Sequence, residues 1–266
     1  MKKCPICQSQ MAATHTSVVL GHLEVCYFRC PSCEFWCTED PYWLEEAYTE
    51  AISALDTGIM SRNLLVASVL RALLPSIAPS GPYVDWGGGL GILVRLMRDS
   101  GFNFCWQDDY SINELARGFE WDRDGVIPAE AVTAIEVLEH TPNPLEFVAE
   151  VLTATRSSTL VFTQELHSPG TSTDWWYFLP ETGQHLSFFS LETLHVMARE
   201  LDLHLATYRG LYMFSTQKVS LPVDHGRLRT HVTRRFTPRT SRPTLTWSDH
   251  LAMRVEVENP SRSDTS

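Results

Sequence analysis

The sequence predicts an α/β fold, a mostly parallel sheet covered by helices on both faces, with a small cysteine-bound module in front of it. Three observations carry this. From residue 83 onward, short β-branched and aromatic runs alternate with helical patterns. A turn with four glycines in five positions (87–91) sits at the first strand-to-helix junction. Four of the seven cysteines form two C-x-x-C pairs within the first 33 residues. Repeated strand–helix units imply parallel neighbours, and 266 residues suffice for one main domain plus an appendage.

Bulk properties narrow the class. Apolar residues make up 44% and charged residues 20%, as in ordinary globular proteins. No apolar run approaches the roughly 18 residues of a membrane span, and "MKKCPICQSQ" lacks the apolar centre of a signal peptide. A cytoplasmic protein with no membrane partner is expected. The net charge of −11 argues against nucleic acid as a partner. From Pro222 to Ser266 the balance reverses, with eight Arg against five acids, which leaves −14 for the rest. This Arg-, Thr- and Pro-rich stretch reads as a loosely packed extension.

Cys4-Pro-Ile-Cys7 and Cys30-Pro-Ser-Cys33 each offer two sulfurs from a tight knuckle, with 22 residues between the pairs. That spacing matches a four-thiolate zinc ribbon. The intervening "THTSVVLGHLEVCYFRC" suits a short hairpin. Zinc would fold a segment too small to build its own core, and four thiolates leave no open position for catalysis. Cys26 and Cys37 stand outside the pairs and are expected to be buried free thiols.

Helical spacing follows in "DPYWLEEAYTEAISALDTG" and in "SRNLLVASVLRALL", where Leu64, Leu65, Ser68, Leu70 and Leu73 approximate one face and Ser61 is the candidate N-cap. After the break at "SIAPSGP", "YVDW" reads as the first strand and "LGILVRLMRDSG" as a helix closed by Gly101. "NFCWQ" is a second strand, "LARGF" a short third and "AVTAIEVL" a fourth. "NPLEFVAEVLTAT" is a helix with Pro144 at its start. "TLVFTQEL" is a fifth strand and "SLETLHVMARELDL" a helix capped by Ser190. "HLATYRG" and "LYMFSTQKV" close the sheet as a hairpin with an antiparallel strand.

In a sheet of this kind ligands sit at the carboxyl ends of the strands. Glycines at that turn let backbone approach a ligand and expose helix N–H groups. A dinucleotide fingerprint would read G-x-G-x-x-G. Here the run is Asp85-x-Gly87-x-Gly89-x-Gly91, with a carboxylate that suits an ammonium group and would repel a pyrophosphate. This run resembles the first motif of the class I S-adenosylmethionine-dependent methyltransferases. Seventeen positions after Gly91 the second strand ends in Asp108-Asp109, where a carboxylate can take ribose hydroxyls. The resemblance implies a Rossmann-like, seven-stranded sheet with an antiparallel last strand. It implies Asp108 as the ribose ligand, with Asp109 beside it, and Phe119-Glu120 at adenine. Glu136 and Val137 in "AIEVLEH" would line the cofactor pocket, and Arg62, ahead of the core, would pair with the cofactor carboxylate. The segment between second and fourth strands is short for the family.

"PYWLEEAYTEAI", "ARGFEW" and "DWWYFLPETGQHLSFFS" resemble a subgroup of these enzymes that carries an N-terminal zinc ribbon. The resemblance spans roughly residues 1–220 and divides the chain into a ribbon (1–40), a helical cofactor cover (41–78), the methyltransferase core (79–220) and the extension (221–266). "GQHLSFFS" also resembles a segment of zinc-ribbon sugar C-methyltransferases in which a histidine is the base, here His185. Methyl transfer is an in-line displacement in which positioning supplies much of the rate. A hydroxyl or carbon acid also needs a base, for which histidine is suited. His140, directly after the fourth strand, is the other candidate. Trp175, Trp176 and Tyr177 form a candidate lid or stacking surface for the acceptor. Glu165 and His167, at the end of the fifth strand, are candidates for holding its polar groups. The reading is methyl transfer from S-adenosylmethionine to a small molecule, sugar or natural-product-like, with structural zinc. The rivals are an RNA or tRNA base methyltransferase that reads nucleic acid with the ribbon, a non-catalytic methyltransferase-fold partner protein and, more remotely, a nicotinamide enzyme.

Overall fold

Two sheets joined by one shared segment organise the chain. The computed structural model describes residues 2–49, 55–222, 251 and 254. The larger sheet has six strands in the order β5-β4-β6-β7-β10-β9, namely β4 (Tyr83–Trp86), β5 (Phe104–Gln107), β6 (Ala131–Ala134), β7 (Thr159–Phe162), β9 (His204–Tyr208) and β10 (Leu211–Ser215). β5, β4, β6 and β7 run parallel, and β10 lies antiparallel between β7 and β9. Every residue of β4, β6 and β7 is buried, as strands covered on both faces require.

The two faces hold separate cores. On one, Tyr83, Val161 and Met213 pack with Leu70 and Leu73 of α2 (Ile59–Ile77) and with Val94 and Met97 of α3 (Ile92–Asp99). On the other, Val84, Leu160, Phe162 and Phe214 meet Val148 of α4 (Pro144–Thr155) and Leu194 of α5 (Leu191–Glu200). Pro144 opens α4, where its missing N–H costs nothing. α5 is closed at its start by a reciprocal capping pair, Ser190 and Thr193.

The smaller sheet, β1-β2-β3-β8, contains β1 (Ala12–Val19), β2 (Leu23–Arg29), β3 (Trp36–Thr38) and β8 (Ser187–Phe188). β1 and β2 are the hairpin expected between the knuckles. β8 comes from far along the chain and pairs with β3 through Trp36–Phe188 and Cys37–Ser187. The knuckle cysteines Cys4, Cys30 and Cys33 are fully buried in the same core as Phe189 and Leu194. The N-terminal module therefore borrows its core from the larger sheet.

Several expectations change. The third strand does not form over residues 115–119, so the sheet has six strands and not seven among the described residues. Asn113 takes the ladder's place: its Oδ1 accepts from the Ala116 N–H at 2.9 Å and its Nδ2 donates to the Ala116 carbonyl at 2.8 Å. Only a single parallel bridge, Trp106–Glu120, survives at that edge. Of the first helical stretch, the described residues form one turn, α1 (Leu44–Ala47), and residues 50–54 lie outside the described residues. α2 begins earlier than expected, at Ile59 behind Gly58, and Ser61 does not cap it but donates to the Gly58 carbonyl at 3.0 Å. Its buried face is Val66, Ala67, Val69, Leu70, Leu73 and Leu74 with Ser68, and Leu65 is exposed. Apart from residues 221, 222, 251 and 254, the Arg-rich extension lies outside the described residues.

Candidate active site

A cleft of about 1040 Å³ opens at the carboxyl ends of β4, β5 and β6. The glycine turn forms one wall. Gly87 has φ +74, and a Cβ there would stand 2.6 Å from Val137 Cγ2. Gly91 has φ +84 at the start of α3, and a Cβ would meet Asn113 Oδ1 at 2.8 Å. Both positions therefore need glycine for conformation and for space. Nothing lies within 4 Å of a Cβ built at Gly89, which leaves open space above that residue.

Asp85, the third of the four residues of β4, is 3% exposed and lines the cleft beside this wall. Thr133 Oγ1 donates to its Oδ1 at 2.7 Å. Burial pushes its carboxyl up to about 7, Asp108 adds to the shift, and the Thr133 hydrogen bond opposes it. Asp108 is fixed by backbone: its Oδ1 accepts from the N–H groups of Tyr110 and Ser111, both at 2.8 Å, and its Oδ2 from Gly89 at 2.9 Å. A carboxylate has about four acceptor sites, so one remains toward the cleft. Asp109 also borders the cleft, with its Oδ1 held by Arg123 at 2.6 Å and Gln107 at 3.0 Å.

Beyond β6 the chain turns through Glu136, which has φ +56, into a short 3-10 turn, Leu138–His140. Thr163 Oγ1 donates to Glu136 Oε1 at 2.7 Å and accepts from the Glu136 N–H at 2.9 Å, holding the turn. Val137 packs on Gly87. Arg62 reaches the cleft from α2, where Asp56 takes its guanidinium at 2.7 Å and Glu136 lies 3.9 Å away.

The same cleft contains His140 and His185, with rings 5.0 Å apart and nearly perpendicular. His185 Nδ1 lies 2.7 Å from the Tyr177 carbonyl oxygen, and His140 Nδ1 lies 3.1 Å from that of Gln184 and 3.0 Å from the Tyr48 hydroxyl. A carbonyl only accepts, so both rings carry their proton on Nδ1 and present Nε2 as a lone pair. Burial lowers His185 to about 3 and His140 to about 4, which keeps both neutral. Glu139, between Leu138 and His140, is fully buried, and its Oε1 accepts from the Tyr177 hydroxyl at 2.7 Å. Burial and the neighbouring Glu136 push its carboxyl up to about 8. Tyr48 and Tyr110 stack at 5.3 Å where the α1 segment meets the loop after β5.

A family model described as a methyltransferase domain matches residues 60–208, more than half of the chain. The chain belongs to the methyltransferase-domain family. No curated protein sequence matches it. Among solved structures it is similar to a mitomycin 7-O-methyltransferase, with 16% identity, a TM-score of 0.43 and coverage of 58% of this chain and 52% of that one. The human N-acetylserotonin methyltransferase in complex with S-adenosylmethionine has 15% identity, a TM-score of 0.41 and 66% coverage of each chain. The Burkholderia thailandensis 1,6-didemethyltoxoflavin-N1-methyltransferase has 12% identity, a TM-score of 0.49 and coverage of 71% and 99%. The chain thus spans about half the length of the first of these and just under two thirds of the second.

In this methyltransferase-domain protein the cleft gathers Asp85, Gly87, Gly89, Asp108, Asp109, Glu136, Val137, Arg62, His140, His185, Trp176 and Tyr177 from those read in the sequence. Phe119 and Glu120 do not border it. Phe119 lies under the Arg98 guanidinium at 3.6 Å, and Glu120 accepts from Asn113 at 2.7 Å. Trp175 packs in the aromatic cluster with Tyr27, Trp36 and Phe188. His167 faces the N-terminal module, its Nε2 3.1 Å from the Glu34 carbonyl, and Glu165 is exposed outside the cleft. Glu139, Tyr48 and Gln184 were missed. The carboxylate next to His140 was visible in "VLEH", but its burial depends on a 3-10 turn that no periodicity announces.

The four knuckle thiols also converge. Their sulfurs all lie within 4.8 Å of one another, with Cys4 to Cys33 at 3.5 Å and Cys7 to Cys30 at 3.4 Å. Tetrahedral zinc with Zn–S bonds of about 2.3 Å needs sulfurs about 3.8 Å apart, so the set fits. Cys37 packs against Met11 and stands apart from it.

Proposed function

We propose that the protein transfers a methyl group from S-adenosylmethionine to a small-molecule acceptor of the sugar or natural-product kind, with His185, or His140 beside it, as general base. In this reading zinc on Cys4, Cys7, Cys30 and Cys33 is structural, and the chain divides into a ribbon (1–40), a cofactor cover (41–78), a core (79–220) and an extension (221–266). The observation that carries it is one cleft lined both by Asp85, the glycine turn and Asp108 and by two neutral histidines. Its volume, about 1040 Å³, exceeds what one drug-sized ligand fills and leaves space for an acceptor.

The residues fit a cationic nucleoside. Asp85 is a buried carboxyl with no cation beside it among the described residues, raised to about 7, and a positive group placed there would restore its charge. The open space above Gly89 admits a ligand against backbone, and Asp108 keeps one acceptor site for a hydroxyl. When bound, S-adenosylmethionine supplies a methyl group activated on a sulfonium. Asp85 and the glycine turn orient it. His185 Nε2 takes a proton from the acceptor, and the Nδ1–H bond to the Tyr177 carbonyl fixes the ring while it does so. Trp176 and Tyr177 border the acceptor end.

Calorimetry with S-adenosylhomocysteine on zinc-replete protein tests the reading, and absence of binding overturns it. In His185→Asn, binding is expected to persist while turnover falls by about 100-fold or more. Unchanged turnover would move the base to another group.

A further inference from the structure

We propose that Glu139, His140 and His185 form a binding site for a divalent metal cation, open to the cleft, that takes an acceptor through two neighbouring oxygens. One ligand-capable atom from each of the three residues lies within 4.8 Å of the others. All three border the cleft. Two imidazoles and one carboxylate suit first-row divalent ions such as Mn²⁺, Fe²⁺, Co²⁺ or Zn²⁺, and three protein ligands leave coordination positions free.

The second observation is independent of the clustering. Glu139 is 0% exposed, and its Oε2 has no hydrogen-bond partner. An unsatisfied, fully buried carboxyl oxygen costs about 1–3 kcal/mol or more, and native proteins keep few of them. A cation on Oε2 removes that cost.

The outer partners match the same assignment. Metal-bound histidines almost always donate their second ring N–H to a carbonyl or carboxylate. His140 does so to the Gln184 carbonyl and His185 to the Tyr177 carbonyl, and both Nε2 atoms are left for a cation. The Tyr177 hydroxyl donates to Glu139 Oε1 and leaves Oε2 as the ligand oxygen. Tyr177 thus holds two of the three ligands, one through its hydroxyl and one through its backbone.

The assignment takes from the methyltransferase reading only that the acceptor shares this cleft. A hydroxyl bound to the cation becomes more acidic. The cation would so help the hydroxyl give its proton to water, and the oxygen would form its new C–O bond as the methyl–sulfur bond of the sulfonium breaks and sulfur keeps the electron pair, leaving the thioether. The general-base role of His185 accordingly describes the cation-free protein. The free positions fit a vicinal diol, an enediol or a catechol.

The test uses Mn²⁺ and the full chain with its cysteines zinc-loaded. Free Mn²⁺ is followed by electron paramagnetic resonance. One saturable Mn²⁺ per chain is expected, weakened at least tenfold in both Glu139→Gln and His185→Gln, roughly the cost of losing a ligand contact. Zinc content should stay constant throughout. Absence of saturable binding below about 1 mM, unchanged affinity in the folded variants, or Mn²⁺ uptake that displaces zinc would each overturn the site. If Glu139→Gln does not fold, His185→Gln decides alone. S-adenosylhomocysteine calorimetry on the same samples separates the two readings. Cofactor binding without Mn²⁺ binding removes only the cation site, and Mn²⁺ binding without cofactor binding removes only the methyltransferase assignment.

Discussion

Among the described residues, metal-ligating side chains come together in two places, and the two are built in opposite ways. At the N-terminus four thiols of one kind converge, and three of them are fully buried among Phe35, Phe189 and Leu194. In the cleft a carboxyl and two imidazoles converge with one wall removed. The first arrangement uses all its ligands on itself and lies in the core that joins the two sheets. The second is held from behind by carbonyls and a tyrosine and faces empty space. A closed set of four supports folding, and an open set of three supports chemistry. Substitutions in the first should therefore be read mainly in stability, and substitutions in the second mainly in binding.

The largest effect expected is at Cys30. In the proposed zinc site Cys30→Ser removes one of four thiolate ligands, and since binding of a structural zinc is coupled to folding, a loss of several kcal/mol is expected. Zinc content should fall and the melting midpoint should drop steeply. Glu139→Gln, of nearly the same shape, should leave the midpoint within a few degrees. If both variants melt alike, the division into a folding site and a binding site fails.

Asp85 comes next. Between about pH 4 and 7 the folded protein holds a proton on Asp85 that the unfolded chain has released, since its folded value is raised to about 7 from 3.8. Stability from this group therefore falls as pH rises through that window. Binding of a cationic cofactor behaves in the opposite sense, because it needs the ionised form, and affinity should rise through about pH 7 and then level. Asp85→Asn should flatten both profiles and weaken S-adenosylhomocysteine by roughly tenfold or more. Calorimetry and thermal melts across pH measure the two slopes, and a persistent slope in Asp85→Asn would assign it to Glu139, whose carboxyl is also raised by burial.

The contrast also explains what the sequence made legible. The knuckles and the glycine turn are local: each is set by a few adjacent residues, so Cys4, Cys30, Asp85 and Gly87 could be read directly. α4 and α5 were equally legible, because Pro144 and Ser190 mark their starts. The short third strand was not, because Asn113 satisfies backbone groups that a strand would have offered to its neighbour. The cleft's far wall is assembled from Tyr48, Glu139, Tyr177 and His185, spread over more than a hundred residues. His167 was assigned to the acceptor because it follows β7, and the structure turns it toward Glu34 and Trp36. Proximity along the chain could not show that β8 would pair with β3 and bring the N-terminal module to that side.

The smallest effect tests how the two regions are joined. Ser190 caps α5 by accepting from the Thr193 N–H at 3.1 Å, and Thr193 Oγ1 donates to the Cys33 carbonyl at 2.8 Å. The first bond belongs to the helix alone, while the second ties the helix to a knuckle of the cysteine site. Ser190→Ala should cost about 1 kcal/mol through the lost cap and leave zinc retention as it was. Thr193→Val keeps the volume and removes both the reciprocal cap contact and the tie to Cys33. Its stability loss should be similar or somewhat larger, about 1–2 kcal/mol, but zinc should also leave faster in a chelator challenge. Equal zinc-release rates in the two variants would mean that the knuckle is held by its own packing among Phe35 and Phe189, and that the helix only rests against it.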